Sequence, residues 1–163
     1  MSKPALLHDA LMRALGETDQ TLKTRGTGTF FQDEASHLSF EGFDGKELRS
    51  AFTVEKAHCS MAMETLHSGY MSTLADVLAV YVLGFTHKSW KKNGPAIELS
   101  IKFTGAGKLG ARILTKTRIL KETKSLAFIA CEGYDAKGNL VFDARVTKFF
   151  VPTVETNMNK AKL

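Results

Sequence analysis

Residues 65–85 read TLHSGYMSTLADVLAVYVLGF. Across residues 69–85 only Asp76 carries a formal charge, and Leu74, Ala75, Val77, Leu78, Ala79 and Val80 stand around it. An apolar run of this length predicts a helix, placed here at residues 68–87. A helix that is apolar on nearly every side needs cover on most of them. A membrane span takes about 20 apolar residues. Residues 69–85 are slightly short for that and include Ser72, Thr73 and Asp76, so a buried core helix is the expectation.

Strand patterns lie on both sides of it. Upstream, residues 38–43 and 48–56 alternate, joined by Asp44-Gly45, a two-residue hairpin signal. In the second run Leu48, Ser50, Phe52 and Val54 share one face, with Arg49, Ala51, Thr53 and Glu55 on the other. Downstream, after the Gly94-Pro95 punctuation, four strand patterns follow without another helix: residues 96–103, 111–120, 126–134 and 140–150. The segments KETK and DAKGN read as hairpin connectors. Residues 3–15 form an amphipathic helix pattern, residues 19–34 a polar loop, and residues 152–163 a polar tail.

An opening hairpin, one helix, then an antiparallel meander argues for an α+β fold. A sheet curled around the helix covers it best, which is the hotdog arrangement. The expectation is a single domain over residues 1–163, with residues 1–34 and 152–163 flanking its body.

Composition suits a globular protein, with 44% hydrophobic and 24% charged residues. The net charge of +5 fits an anionic ligand, but the basic residues are scattered, and no nucleic-acid motif accompanies them. Neither nucleic acid nor membrane is expected as a partner. Cys59 and Cys131 form no C-x-x-C pair and read as free thiols of a reducing compartment. Residues 1–20 lack the apolar core of a secretory signal, and Asp9, Glu17 and Asp19 argue against a transit peptide.

The helix sequence resembles the motif of hotdog-fold acyl-CoA thioesterases, in the branch with the phenylacetate-pathway and small mammalian thioesterase-superfamily members. That motif opens the helix with His-Gly-Gly and places an acidic residue nine positions after the His. His67 and Asp76 keep that spacing. GAGKLG (residues 105–110) and LKETKSLAF (residues 120–128) are similar to two of the family's loops, and the resemblance covers residues 48–150. Three positions depart from the pattern: Ser68 replaces the first Gly, Met61 stands where the family often has Asn, and Ala96 where it often has Ser or Thr.

The resemblance implies hydrolysis of an acyl-CoA to the free acid and CoA, in lipid metabolism, by a homodimer or homotetramer with active sites at the subunit interface. Asp76 would be the general base or the nucleophile, with His67, Ser68 and Gly69 at the helix start. Backbone N–H groups there lack partners inside the helix and lie at its positive end, which suits an oxyanion. Asp76, in apolar surroundings, would be poorly solvated and a stronger base. A helix advances 1.5 Å per residue, so two residues nine apart do not meet on it, and the family completes each site from two chains. Met61, Lys108, Thr123, Lys124 and Ser125 are the candidates for binding the substrate.

Structural roles compete with these. Asp76 is alternatively a buried carboxylate bonded to Ser72, Thr73 or a neighbouring amide, and His67 a helix-start residue only. Tyr70, Met71 and Met63 read as packing or acyl-tunnel lining. His58 and Cys59 lack further spaced ligands, so no metal is expected, and no cofactor beyond the CoA of the substrate. No Gly-x-Ser-x-Gly elbow exists, and Tyr81 stands where a hotdog dehydratase signature would place His. A non-catalytic acyl-CoA-binding hotdog module is the alternative reading. The final Ala161-Lys162-Leu163 is similar to a peroxisomal address, so a peroxisome-type organelle is expected in a eukaryote and the cytoplasm in a bacterium.

Overall fold

A computed structural model describes residues 37–87 and 94–150. The expected helix at residues 3–15 and the tail at 152–163 lie outside the described residues. The elements run β1 (Ser39–Phe43), β2 (Glu47–Thr53), a one-turn 3-10 helix (Lys56–His58), α1 (Ser68–His87), β3 (Ala96–Phe103), β4 (Arg112–Glu122), β5 (Leu126–Tyr134) and β6 (Leu140–Phe149). The six strands form one antiparallel sheet in the order β1-β2-β4-β5-β6-β3.

That order corrects the expected meander. Strands β4, β5 and β6 do follow one another, but among the described strands β3 pairs only with β6, at the far edge. The loop from β3 to β4 must therefore cross the sheet. It is held on the way, because Leu66 N donates to Gly107 O at 2.7 Å and Leu109 N to Glu64 O at 2.9 Å. Gly107 lies against Leu66, where a Cβ would sit 3.1 Å from the Leu66 Cβ, so a side chain there would crowd the crossing.

The β1–β2 connection also differs from the expected two-residue turn. Three residues, Asp44 to Lys46, separate the strands. Asp44 Oδ1 accepts the N–H groups of Lys46 and Glu47, while Gly45 takes φ +94°. An Asx turn of this kind satisfies backbone donors that a tighter hairpin would leave to the ladder.

The sheet packs one face on α1. Leu74, Leu78 and Val82 recur every fourth residue and are fully buried, and Ala75, Ala79 and Leu83 are buried beside them. Facing them are Leu48, Phe52, Ile113, Ile129, Ala144 and Val146, alternate residues of their strands. Each large side chain so buried contributes about 1.5–3 kcal/mol. Cover of this extent explains how a helix as apolar as α1 sits in a folded domain. The alternation expected in β2 holds for Leu48, Ser50, Phe52 and Val54, but Ala51, on the opposite face, is buried too. Ser50 and Thr115 solve their own burial by sharing a hydrogen bond of 2.5 Å between their hydroxyls.

Candidate functional site

Three hydrogen bonds define the start of α1. His67 N donates to His58 O at 2.8 Å, tying the helix entry to the 3-10 turn. His67 O accepts Met71 N–H at 3.1 Å, the first bond of the helix. His67 Nδ1 accepts Gly69 N–H at 2.9 Å. The imidazole thus caps the helix in the way an Asn or Asp carbonyl oxygen would. With Nδ1 accepting, the ring proton of the neutral form sits on Nε2.

This cap corrects one expectation. Gly69 N–H is engaged by His67 and does not serve as a second open donor. Ser68 N–H, by contrast, has no intramolecular partner among the described residues. Ser68 and His67 are both exposed, so this end of the helix opens to solvent.

Asp76 lies nine residues further on, about 13 Å along the axis at 1.5 Å per residue. Its surroundings differ from the apolar ones expected. Oδ1 lies 2.5 Å from Lys148 Nζ on β6, and the Asp76 side chain is 44% exposed while that of Lys148 is 3% exposed. Ser72 Oγ donates to Ser68 O rather than to the carboxylate. Lys148 was missed in the sequence, although a signal was available. It shares strand parity with Ala144 and Val146, so the alternation of β6 points a lysine at the core.

The substrate-binding candidates fall in two separate places. Lys108 pairs with Thr65 across an isolated bridge, beside the helix start. Thr123, Lys124 and Ser125 form the β4–β5 turn at the opposite end of β4, an 11-residue strand roughly 30 Å long. There Thr123 Oγ1 accepts the N–H groups of Ser125 and Leu126, so it shapes the turn, while Lys124 is exposed. Phe150 N donates to Ser125 O at 2.8 Å, fastening this turn to the end of β6, two residues past Lys148. Met61 and Met63 are exposed ahead of the helix, Met71 is buried, and Tyr70 stacks on His58 at 4.2 Å between ring centroids. The candidate residues of one chain therefore fall into two groups, a helix-start group with Lys108 and a carboxylate group toward the 123–125 turn.

The fold also assembles a cluster that spacing did not predict. Ligand-type atoms of His37, Glu55 and His58 lie within 4.8 Å of one another. Glu55 and His58 are already bonded to each other. His58 Nδ1 accepts Glu55 N–H at 3.0 Å, and the Glu55 side chain accepts the His58 N–H. These bonds use donor atoms a metal would need, so the cluster reads as a structural cap.

Edge strand β3 is open. Its inward residues Leu99 and Phe103 are 39% and 47% exposed, and no described strand pairs with its outer edge. Such an edge is a template for pairing with another chain.

Comparison with known proteins places these features. Residues 63–142 match the family model described as "Thioesterase superfamily". The chain is similar to human acyl-coenzyme A thioesterase 13, at 32% identity over 96 residues, 58% of this chain and 66% of that protein. The matched segment thus spans just under two thirds of the human relative. The mouse protein of the same name is 30% identical over 103 residues, 58% of this chain and 72% of its own length. Among solved structures, zebra fish thioesterase superfamily member 2 superposes with a TM-score of 0.69 at 22% identity, covering 84% of this chain and 98% of that one. A hypothetical thioesterase protein of Streptococcus pneumoniae, solved with coenzyme A, gives 0.64 at 20% identity, covering 74% and 94%. At such identities the structures speak for the fold, and the fold is the expected hotdog.

Proposed function

The chain belongs to the thioesterase superfamily, and on that premise we propose that it hydrolyses an acyl-CoA to the free carboxylic acid and CoA. The observation that carries this reading is the division of labour along α1. An open amide at Ser68 and a half-exposed carboxylate at Asp76 lie on one helix, too far apart to act on one carbonyl.

Two copies joined through the β3 edge would bring the Ser68 end of one helix to Asp76 of the other. The apolar, exposed inner face of β3 favours such pairing, because assembly would remove Leu99 and Phe103 from water. The proposed assembly is a homodimer, alone or doubled into a tetramer.

In that site the thioester carbonyl oxygen takes the Ser68 N–H. Asp76 accepts a proton from water as the water oxygen bonds to the carbonyl carbon. The tetrahedral intermediate then collapses, the C–S bond breaks, and the CoA sulfur leaves and is protonated. In the alternative course Asp76 attacks the carbonyl carbon, the C–S bond breaks with departure of the CoA thiolate, and water then hydrolyses the resulting anhydride, releasing the acid and regenerating Asp76. Lys108, Lys124 and Ser125 are proposed to meet the anionic CoA, with Thr123 shaping their turn. His67 is assigned the cap rather than proton transfer, and no metal or separate cofactor is invoked.

The relatives' name, acyl-coenzyme A thioesterase, supports the substrate class. A second reading, an acyl-CoA-binding module without turnover, is favoured by Met61 and Ala96, which offer no polar side chain where the family often has one. Thiol release measured across a panel of acyl-CoAs tests both. Turnover supports the enzyme, and tight binding without thiol release selects the module.

A further inference from the structure

Lys148 is the most deeply buried lysine described, and its burial needs a cause. An ammonium taken from water costs several kcal/mol unless a partner offsets it. The neighbouring positions across the ladder are Ala127 on β5 and Ala96 on β3, and neither side chain offers an acceptor. The carboxylate within reach is Asp76, at 2.5 Å.

The pairing is one-sided. Asp76 Oδ1 is buried, and the Lys148 contact is an ion pair rather than an aligned hydrogen bond. Yet the Asp76 side chain as a whole is 44% exposed. Its exposure therefore lies on the remaining atoms, Oδ2 among them. An ion pair that served packing alone would gain most by burying both oxygens. Here one oxygen is anchored and the other is presented outward.

We propose that Lys148 is a positioning residue for the hydrolysis assigned above. It anchors Asp76 through Oδ1, so that Oδ2 is oriented toward the water or the thioester. The inference rests on that functional reading. It also gives a reason why Ala96 is tolerated. Ala96 stands opposite Lys148 in the β3–β6 register, so β6 delivers beside the carboxylate the polar group that β3 lacks.

The test compares the wild type with Lys148→Met, Lys148→Arg, Asp76→Asn and the double variant Lys148→Met/Asp76→Asn, by steady-state hydrolysis of an acyl-CoA that the wild type turns over. Lys148→Met is expected to lower kcat about 10- to 100-fold, the loss typical of a misplaced group, with KM within about threefold. Lys148→Arg is expected to restore most of kcat. The double variant is expected to be no slower than Asp76→Asn alone, because an anchor without its carboxylate has nothing to orient. Wild-type kcat in Lys148→Met, or losses that multiply in the double variant, would overturn the proposal and leave the hydrolase reading standing. A wild type without turnover overturns both. Should Lys148→Met not fold, Lys148→Gln replaces it under the same criteria.

Discussion

His67 holds the amide of Gly69: its Nδ1 accepts that N–H at 2.9 Å and so closes one of the donors at the start of α1. The N–H of Ser68, one residue nearer the end, has no intramolecular partner among the described residues. A helix start commonly offers several orphan N–H groups. Here the side chain of His67 folds back and takes the second of them.

That selectivity is testable with a single imino acid. Ser68 is the first residue of α1, where proline is well tolerated since its missing N–H is not needed by the helix. Ser68→Pro is expected to keep its thermal midpoint near that of the wild type and lose about 100- to 1000-fold in kcat, as for other lost oxyanion donors. Ser68→Ala, which keeps the amide, should stay near wild type. Equal turnover in the proline variant would remove Ser68 from the mechanism.

Asp76→Asn keeps the shape of the side chain and discards its charge. Loss of a base or nucleophile typically costs a factor of 100 or more, and that drop in thiol release is the expected result. The change leaves the buried Lys148 ammonium without its carboxylate, so the thermal midpoint should fall, and circular dichroism and sedimentation at the assay temperature establish that the variant compared is folded. A variant folded like the wild type and equally active would dismiss the carboxylate.

The open edge predicts assembly. Leu99 and Phe103 expose apolar surface on the inner face of β3. Changing both to Glu is expected to give a monomer by sedimentation velocity and to abolish hydrolysis together with association. Full activity in a monomeric variant would disprove a site built from two chains.

Gly133 lies opposite Phe142 in the β5–β6 register, and a Cβ on it would overlap the Phe142 ring. Gly133→Ala is therefore expected to destabilise the fold by about 1–3 kcal/mol in urea unfolding. Adding Phe142→Leu should recover part of that loss. No change in the single variant would mean that the ring has room to move.

Burial pushes the Cys131 thiol up from 9.0 to about 12, although the hydrogen bond from Thr117 Oγ1 works the other way. A raised value means that the folded chain keeps its proton where the unfolded chain loses it. The contribution to stability is therefore full below pH 9 and is lost as pH rises from 9 toward 12. Cys131→Ala should show a shallower fall in thermal midpoint over that range. An unchanged slope would show that other groups govern it.

Much of this was legible in one dimension. Three segments, Ser68–His87, Ala96–Phe103 and Leu126–Tyr134, coincide with the bounds that periodicity assigns. Local patterning sets them, since each face repeats within a few residues. The His67-to-Asp76 spacing likewise placed two candidate groups on one helix and kept them apart. The edge position of β3 was not legible, because alternation reports which residues face inward and not which strand lies alongside.

The environment of Asp76 belongs to the same class. In sequence its neighbours are Ala75 and Val77, and those suggest a carboxylate stranded among apolar groups. In space its partner is Lys148, brought over by the ladder of β6. An ion pair depends on distance between side chains, and distance between remote segments is decided by how the sheet is ordered around the helix. The order of residues selected the helix and its lone acid. Only the packing of β6 against that helix decided that the acid has a cation on one oxygen and solvent at the other.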